Sequence, residues 1–566
     1  MPPRDSAIGE EDVAFVRGVS LLWILAAFII GWIGIGHSPF WVDESIAVFP
    51  ARGILSHGGP VAPYDLDFMP WQIKFDYWDP ATPLYRYSLA AVFAFLGFSE
   101  VVARGFSWVV GFVALLPIYA AGRALFGRTT AWLGIALIAG SPTFGLFARE
   151  ARHYTFVMLM GATLIWALLV AARPDAAPQR RMLWVLPLTA VLLTQTIGYV
   201  ALPVAALYIA AVGPRRFVSG GRASLTVCAA ALLVYTPVIA VFWNTLPFFH
   251  DLGCHNRPSG CQPHALYYLG TLHEFLAPMT ERFGQQIPFS AQPGEWIVTV
   301  AAGPLLFVVG LAAAAFGSWQ WPRRRAAMLW IWLLVPPLLL STREVKFSRF
   351  LFQWTLPIAL LISIYGLTQL TRLIRSPRLR RGVLVVAFAV LALAPQWREG
   401  RPAVPLPPSP RFVGQPVAIP RGWSSALLRY LRTQLWDAPD ENWEFLVAKA
   451  DYLRSRMQEG DTLVTSFDDA GLQYYTGRFA HGFLNSRHTD EFFLELLADA
   501  ERRDRLVWFV DTLSPHNYCL SRDAEPRSVD CRDKYPRFYQ TCLAADGALS
   551  HRCRRVTLPE VLHAPR

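Results

Sequence analysis

Long apolar stretches follow one another along the chain up to residue 396. An α-helix needs roughly 20 apolar residues to cross a bilayer, with about 17 as the usual lower end. The stretches that reach or approach this length are 19–36, 105–122, 129–147, 154–172, 182–197, 198–213, 223–243, 295–318, 326–341, 350–371 and 382–396. They predict an all-α, polytopic membrane domain with about 11–13 spanning helices.

The first of these stretches and one shorter apolar stretch differ from ordinary spans. The first, 19–36, is too long for the apolar core of a secretory signal peptide and has no small-residue cleavage site after it. It is therefore predicted to be an uncleaved first span. Residues 84–98 are also apolar, but this stretch is short and contains Arg86. That combination is typical of an interfacial or re-entrant helix in the first outer loop.

Arginines occur in alternate loops, as the positive-inside rule describes for the cytoplasmic side of a membrane. With a cytoplasmic N-terminus, the inner loops contain Arg123, Arg128, Arg173, Arg180, Arg181, Arg215, Arg216, Arg222, Arg323, Arg324, Arg325, Arg372, Arg375, Arg378, Arg380 and Arg381. Asp175 is the acidic residue that opposes them. The loops 37–104 and 244–294, and the chain from 397 onward, are then predicted to lie outside.

The composition agrees with a membrane protein, since 54% of the residues are hydrophobic and 16% are charged. A soluble domain carries about 25% charged residues. The formal charge of +11 does not indicate nucleic-acid binding, because the arginines lie in loops where membrane topology requires them.

The pattern changes after the last apolar stretch. Prolines at 402, 405, 407, 408 and 410 favour an extended linker over 397–422. Helical periodicity then appears at 423–436, 441–458 and 490–503, and short apolar runs at 462–467 and 506–510 predict buried strands. The chain is therefore predicted to have a membrane domain at 1–396 and an extracytoplasmic soluble α/β domain at 423–566.

Six of the seven cysteines lie on the predicted outer side. Cys254 and Cys261 share one loop, and Cys519, Cys531, Cys542 and Cys553 lie in the C-terminal domain. An even number of cysteines in an oxidising compartment predicts disulfides, with three possible pairings for the last four. Free thiols are the alternative. The spacings lack the close pairs of a structural zinc site.

Charged residues are nearly absent from the interior of the predicted spans and occur at their outer ends. Ion-coupled transporters place such groups inside the membrane, so this distribution favours chemistry at the outer surface. The charged residues in question, with the neighbouring histidine and tyrosine, are Asp43, Glu44, Asp65, Asp67, Lys74, Asp76, Asp79, Arg86, Arg149, Glu150, Arg152, His153, Tyr154, Arg343, Glu344, Lys346 and Arg349. A carboxylate can act as a general base, and arginines can bind a phosphate and stabilise its charge. These residue types suit a substrate with a charged head group and a lipid tail.

Several short motifs occur in a fixed order. They are W-V-D-E at 41–44, D-P-A-T-P-L-Y at 79–85, Arg104 before the second span, G-R-A-L-F-G at 122–127, S-P-T-F-G-L-F-A-R-E-A-R-H-Y at 141–154 and K-F-S-R-F at 346–350. This ordered set resembles the GT-C glycosyltransferases. The similar branch is the bacterial one of protein mannosyltransferases and lipid A aminoarabinose transferases (glycosyltransferase families 39 and 83). The resemblance covers roughly residues 19–370.

The resemblance implies a GT-C-like fold and an inverting glycosyltransferase. Such an enzyme moves a hexose or pentose from a polyprenyl-phosphate carrier to a cell-envelope glycan, lipid or protein. The reaction takes place on the outer face of the bacterial cytoplasmic membrane. The expected partners are this donor, membrane lipids and an unidentified acceptor, without nucleic acid.

By position, Asp43 is expected to be the general base, and Glu44 is expected to support it or to contact the acceptor. The residues expected to contact the lipid phosphate or the sugar are Arg86, Arg149, Arg152, Tyr154, Lys346 and Arg349. Gln195 and Thr196 stand where many members have a His-Tyr pair, so the sequence does not support a divalent metal or another cofactor. Arg86 is an additional cation relative to the family pattern.

Other functions are compatible with an outer, charged site. An O-antigen-ligase-like enzyme would carry its key arginines and histidines in a late outer loop, whereas here the early loops are richer. A lipid-linked-sugar transporter or flippase would need a polar path through the membrane. A non-enzymatic envelope scaffold would need one span as an anchor rather than eleven.

Overall fold

The structure of the protein is a computed structural model. It describes residues 10–33, 35–36, 40, 42–60, 82–177, 183–194, 196–214, 217, 229, 233, 302–341, 348–393, 446–465, 469–482, 489–510, 518–520, 528–530, 535–543 and 550–556. The predicted helix 423–436, the proline-rich linker and most of the predicted span 223–243 lie outside these residues.

Up to residue 393, the secondary-structure elements of the described residues are helices. They are α1 (Glu10–Trp32), α2 (Val42–His57), α3 (Pro83–Leu96), α4 (Glu100–Phe126), α5 (Arg128–Ala139), α6 (Pro142–Arg149), α7 (Tyr154–Ala171), α8 (Val185–Thr194), a 3-10 turn (Thr196–Val200), α9 (Ala201–Val212), α10 (Ala302–Ser318), α11 (Arg323–Ser341), α12 (Ser348–Thr371) and α13 (Pro377–Leu393). Within the described residues, five helices are long and apolar enough to cross a membrane, or six if one bent pair counts as a span.

The long apolar runs became helices close to where they were predicted. The expected span 154–172 is α7, and the expected span 350–371 is α12. Between α1 and α4, where the sequence predicted interfacial helices, lie α2 and α3. The C-terminal end of α3 is exposed at Phe95 and Leu96, and exposed apolar side chains are compatible with a helix at a bilayer surface.

The stretch 129–147 departs from a straight span. It forms α5 and α6, which meet at an angle of 60°. Proline at position 142 opens α6 and has no backbone N–H to donate to a continuing helix. A Cβ atom on Gly140 would lie 2.4 Å from the indole nitrogen of Trp23, so α1 packs tightly against this break. The bend directs the end of α6 towards the end of α1.

A central helix, α12, organises the membrane domain. Its apolar segment Leu351–Thr371 is buried except near its end, where Leu370 is exposed, whereas few of the apolar residues of α1 are buried. Helix α12 packs on α5, α7, α10 and α11, and α4 packs along α7. An α-helix that is apolar on all sides belongs in the centre of a bundle, whereas exposed apolar faces suit lipid contact.

The C-terminal region forms an α/β unit. Its elements are α14 (Leu446–Arg456), β1 (Thr462–Thr465), α15 (Asp469–Thr476), β2 (Ala480–Gly482), α16 (Asp490–Arg502), β3 (Val507–Val510), β4 (Tyr518–Leu520), β5 (Ser528–Asp530), α17 (Pro536–Leu543), a 3-10 turn (Ser550–Arg552) and β6 (Cys553–Val556). Strands β2, β1, β3 and β6 form a parallel sheet in that order, and β4 pairs with β5 in an antiparallel ribbon.

Both faces of the parallel sheet are covered. Val464 and Phe509 pack with residues of α16 and α17, whereas the alternate residues Leu463 and Trp508 pack with residues of α14 and α15. Successive side chains of a strand point to opposite faces, so a sheet with helices on both sides needs continuous apolar strands. The apolar runs that the sequence showed at 462–467 and 506–510 fit this requirement.

One of the predicted disulfides is present. Cys542 of α17 is bonded to Cys553 of β6, with the two Cα atoms 5.3 Å apart. This bond leaves one of the three possible pairings, in which Cys519 would join Cys531. Cys519 belongs to β4, and Cys531 lies outside the described residues.

Candidate active site

A buried ion pair joins the start of α2 to the start of α4. The Nε and Nη2 atoms of Arg104 donate to the two carboxylate oxygens of Glu44, at 2.8 and 2.6 Å. Arg104 also donates to the carbonyl oxygen of Ile35, just beyond the end of α1, at 3.2 Å. One guanidinium group therefore connects α4, α2 and the chain that follows α1.

The local sequence explains why these helices begin where they do. Ser99 caps α4 by accepting a hydrogen bond from the backbone N–H of Val102, and Glu100 occupies the first turn. Asp43 and Glu44 lie in the first turn of α2. Acidic residues in a first turn are favoured by the helix dipole. Arg104 follows one turn into α4, on a helix that starts earlier than the apolar run predicted.

The pair is enclosed on all sides. The side chain of Glu44 is 1% exposed and that of Arg104 is 7% exposed. The ring of Phe40 lies 5.5 Å from the guanidinium carbon of Arg104, and Phe40 itself is buried. Buried ions lose their hydration, so such a pair is maintained only when hydrogen bonds satisfy its polar atoms. Here the bidentate geometry does so.

The turn between α6 and α7 adds a third element. The backbone N–H of Ala151 donates to the same carboxylate of Glu44 at 2.8 Å. Glu44 therefore accepts two hydrogen bonds from Arg104 and one from a neighbouring turn. These bonds fix its carboxylate between α2, α4 and the α6–α7 turn.

The residues after Ala151 form a compact polar and aromatic group. His153 is buried, and its ring lies edge-on to Tyr85 and Tyr154, with centroid distances of 6.2 and 5.0 Å. The guanidinium carbon of Arg152 lies 5.7 Å from the Tyr154 ring. Tyr154 begins α7 and packs on Phe147 of α6. The α6–α7 turn is thus held between α3 and the core of the bundle.

A chain of hydroxyl groups connects α3 to this turn. Ser107 donates to the carbonyl oxygen of Arg152 at 3.3 Å, and so the Tyr85 hydroxyl donates to Ser107 at 3.1 Å. Thr155 donates to the carbonyl oxygen of Ser107 at 2.9 Å. Burial raises the pKa of the Tyr85 hydroxyl above its ordinary value.

Several charges converge on the same place. The pKa of Tyr85, raised chiefly by burial, is also shifted by the charges of Arg152, Glu44 and Arg86. Arg86 is buried on α3, next to Tyr85. Arg149, at the end of α6, donates to the carbonyl oxygen of Ile33 at 3.3 Å. Arg104 and Arg149 therefore bind the chain that follows α1, and Arg86 and Arg152 lie near Tyr85.

The predicted site residues are not all described to the same extent. Glu44, Arg86 and the segment that contains Arg149, Arg152 and Tyr154 come from three separate parts of the chain and lie on elements that contact one another. Asp43 is placed on the first turn of α2 and Arg349 on the first turn of α12, by backbone only. Lys346 lies outside the described residues.

The sequence assigned no role to some residues that build this site. Arg104 is the partner of Glu44, although 60 residues separate them in the chain. Tyr474 and Tyr475 of α15 contact the same region from the C-terminal unit. Burying an arginine one turn inside an apolar helix is energetically unfavourable unless an acidic residue pairs with it. The position of Arg104 in the sequence could therefore have indicated a buried acidic partner.

Among the residues that the structure describes, no group of three or more histidines, cysteines, aspartates or glutamates is arranged to hold a metal ion.

Comparisons with known proteins agree on the fold. The sequence model of the dolichyl-phosphate-mannose-protein mannosyltransferase family matches residues 80–241. No curated protein matches the chain in sequence.

Solved structures cover more of the chain. ArnT from Cupriavidus metallidurans in the apo state is 12% identical, with a TM-score of 0.51, over 82% of this chain and 85% of that one. The same protein bound to undecaprenyl phosphate is 12% identical, with a TM-score of 0.50, over 89% and 92%. The oligosaccharyltransferase AglB from Archaeoglobus fulgidus, with an inhibitory peptide and a dolichol-phosphate, is 12% identical, with a TM-score of 0.50, over 89% and 69%. The resemblance to the GT-C glycosyltransferases is therefore confirmed for the fold.

Proposed function

We propose that this chain, a membrane protein with the GT-C fold, is an inverting glycosyltransferase. It transfers a sugar from a polyprenyl-phosphate carrier to an acceptor of the cell envelope, on the outer face of the bacterial cytoplasmic membrane. The observation that carries this proposal is the convergence of the acidic first turn of α2 with arginines from α3, α4 and the α6–α7 turn. A base beside several cations suits an acceptor hydroxyl or amine and a phosphate leaving group.

Asp43 is proposed to be the general base. It precedes Glu44, whose carboxylate is fixed by Arg104 and by the backbone of Ala151. Because Glu44 is fixed, the first turn of α2 has a defined position, and a defined position is what a catalytic base needs. Glu44 is thus proposed to hold the helix turn in place, and its neighbour Asp43 to react with the acceptor.

The reaction is a single displacement. Asp43 takes the proton of the acceptor hydroxyl or amine, and the acceptor atom forms a bond to C1 of the sugar. The bond between C1 and the phosphate oxygen breaks, and its electron pair leaves with polyprenyl phosphate. The leaving phosphate is already ionised, so cations can stabilise it without a general acid. Attack from the side opposite the leaving group inverts the configuration at C1.

The cations proposed for the phosphate come from several elements. Arg86, Arg149 and Arg152 lie on α3, at the end of α6 and on the turn that follows. Arginine binds phosphate oxygens in a bidentate manner, which fixes orientation as well as charge. Tyr154 is proposed to contact the donor head group.

Lys346 and Arg349 are proposed as further phosphate contacts. Phe352 of α12 packs on Phe147 of α6, with ring centroids 5.0 Å apart. Arg349 precedes Phe352 by about one helical turn, so the start of α12 lies beside the end of α6. This neighbourhood supports a shared phosphate site with Arg149.

The location on the outer side rests on the cysteines and on the loop charges. The Cys542–Cys553 disulfide belongs to the C-terminal unit, and disulfides persist in oxidising compartments. That unit contacts the first outer loop through Tyr475. The disulfide and the positive-inside pattern support the same orientation, with the N-terminus in the cytoplasm.

The test is a donor assay in nanodiscs. The purified protein is incubated with short-chain polyprenyl-phosphate sugars, hexoses and pentoses separately, and with envelope extract as the acceptor source. We expect release of polyprenyl phosphate with one class of donor. We expect no release by the Asp43→Asn variant, and any release that this variant does show measures contaminating activity. Absence of release with every donor would contradict the proposal and favour the ligase-like or transport functions.

A further inference from the structure

One tyrosine of the C-terminal unit makes two hydrogen bonds to the membrane domain. The Tyr475 hydroxyl, on α15, accepts a bond from the backbone N–H of Phe40 at 2.6 Å. It donates a bond to the carboxylate of Glu100 at 2.7 Å. Phe40 lies in the chain between α1 and α2, and Glu100 opens α4. A single hydroxyl group therefore connects three elements that are remote in sequence.

The two partners of Tyr475 stand in equivalent places relative to the buried ion pair. Phe40 precedes Glu44 by four residues, and Glu100 precedes Arg104 by four residues. The ring of Phe40 also lies against the guanidinium group of Arg104. Tyr475 thus holds together the two chain segments from which Glu44 and Arg104 extend.

The neighbouring residue fills the same junction with apolar contacts. The ring of Tyr474 packs against Phe40, Phe49 and Phe98, with centroid distances of 5.9, 5.3 and 5.4 Å. These rings belong to the α1–α2 connection, to α2 and to the turn before α4. Helix α15 therefore packs on every segment that leads into the ion pair.

The position of α15 in its own unit gives this contact a rigid support. Leu472 of α15 packs with Leu463 of β1 and Trp508 of β3 in one apolar cluster on the sheet. A displacement of the C-terminal unit would move Tyr475 away from Phe40 and Glu100. The contact transmits the position of this unit to the start of α2.

We propose that Tyr475 is a positioning residue for the reaction, through which docking of the C-terminal unit holds the Glu44–Arg104 pair and the first turn of α2 in the catalytic arrangement. This inference rests on the proposed function. It assigns to the C-terminal unit a part in catalysis itself, beyond capping the membrane domain. Tyr475 acts on the reaction through Phe40 and Glu100, without contact with the substrate.

The test replaces Tyr475 by phenylalanine, which removes the hydroxyl and keeps the ring. The matched control is Tyr452→Phe, since the Tyr452 ring packs on Trp508 inside the same unit. The first readout is amide hydrogen exchange of Ala151, whose N–H donates to Glu44. This readout needs no activity, and it reports whether the Glu44 carboxylate has moved.

We expect faster exchange at Phe40 and at Ala151 in Tyr475→Phe, by about 10-fold, because one hydrogen bond has about this effect on a local opening equilibrium. The second readout is steady-state kinetics with the donor that the assay above identifies. We expect kcat to fall by about 10-fold while the KM of the donor stays unchanged, because small displacements of catalytic groups reduce rates strongly. Tyr452→Phe should match the wild type in both.

Three results would overturn the proposal. Exchange at Ala151 that stays at the wild-type rate in Tyr475→Phe would show that Tyr475 does not hold Glu44. A wild-type kcat despite faster exchange would show that the contact positions nothing that matters for the reaction. Equal losses in Tyr475→Phe and Tyr452→Phe would indicate a general loss of stability. If the wild type transfers no sugar, the proposed function fails, and the exchange at Ala151 still tests the positioning of Glu44.

Discussion

Arginines bind a carboxylate near each end of α1, and the two ion pairs differ in how much of their surface is exposed. Beyond its C-terminal end, Arg104 binds Glu44 and the carbonyl oxygen of Ile35, and almost no surface is exposed. At its N-terminal end, Asp12 accepts hydrogen bonds from Arg380 and Arg381 of α13. There the side chain of Arg381 is 33% exposed.

The difference concerns what each pair joins. Asp12 connects two helices, α1 and α13, and water reaches part of the contact. Glu44 joins α2 to α4 and to the α6–α7 turn, and its carboxylate accepts a backbone N–H as well. Both carboxylates are buried, but the side chain of Arg381 keeps part of its hydration, whereas both partners of the closed pair at Glu44 lose theirs. The more open pair at Asp12 therefore carries a lower desolvation cost. We interpret the pair at Glu44 as part of a reaction centre and the pair at Asp12 as a structural connection.

The largest expected effect comes from breaking the closed pair. Arg104→Gln leaves the Glu44 carboxylate buried without its charge partner, which should lower the free energy of unfolding by about 3–5 kcal/mol. Donor turnover should fall by about 100-fold, because α2 loses its fixed position. Thermal unfolding in detergent and the donor assay measure the two effects. Arg123→Gln, an exposed residue at the other end of α4, is the control. Equal losses of stability and turnover in Arg104→Gln and Arg123→Gln would contradict a special role of the buried pair.

A smaller effect is expected from the proposed phosphate contacts. Arg152→Gln removes a cation at the start of α7 and should weaken binding of short-chain polyprenyl phosphate by about 10-fold. Arg173→Gln is the matched control, because Arg173 is exposed just beyond the other end of α7. Titration of the lipid phosphate into nanodiscs gives the dissociation constants. An equal loss of phosphate affinity in both variants would show that the effect comes from the net charge of the protein and not from a contact made by Arg152.

The open pair should affect stability without affecting the reaction. Asp12→Asn removes the partner of Arg380 and Arg381, so the temperature of unfolding should fall, by less than in Arg104→Gln. The kcat of the folded fraction should stay at the wild-type value. Glu11→Gln is the control, since the Glu11 side chain is 89% exposed and should matter little. A large decrease of kcat in Asp12→Asn would remove the functional distinction between the two ends.

The smallest effect concerns the junction with the C-terminal unit at high pH. Burial, with a contribution from Glu100, raises the pKa of Tyr474 to about 12. The ordinary value is about 10, so below pH 10 Tyr474 is neutral in the folded and the unfolded chain and its contribution to stability is fully present. As pH rises from about 10 through about 12, the unfolded chain loses the proton first, and this contribution is lost.

The unfolding temperature should therefore decrease more steeply above about pH 10 in the wild type than in Tyr474→Phe. Between pH 7 and 9 the two proteins should show parallel behaviour. Identical slopes above pH 10 would mean that the pKa of Tyr474 is the same in the folded and the unfolded chain, so that the junction does not raise it.

Local features of the sequence predicted much of the fold. Apolar runs such as 154–172 and 350–371 became α7 and α12 because their length and composition leave few alternatives in a bilayer. The bend between α5 and α6 depends on Gly140 and a proline at 142, which act within a continuous apolar run. Periodicity does not detect such a break, since both halves remain apolar.

The candidate site could be predicted only in part. Glu44, Arg86, Arg149, Arg152 and Tyr154 lie on elements that the fold brings together, and their role in the reaction stays a proposal. The partner of Glu44 lies 60 residues away, and Phe40 is 435 residues away from Tyr475. Such contacts depend on how helices pack and on how the two parts of the chain dock. No local pattern of residue types encodes them.

Asp43 is proposed to remove a proton from the acceptor during transfer of a sugar from polyprenyl phosphate. The most direct measurement is the single-turnover rate of sugar transfer by Asp43→Asn in nanodiscs, with Asp12→Asn as the same substitution at the other end of α1. We expect a rate about 100-fold or more below the wild type for Asp43→Asn, with donor binding retained, and a wild-type rate for Asp12→Asn. A rate close to the wild type in Asp43→Asn would contradict this proposal.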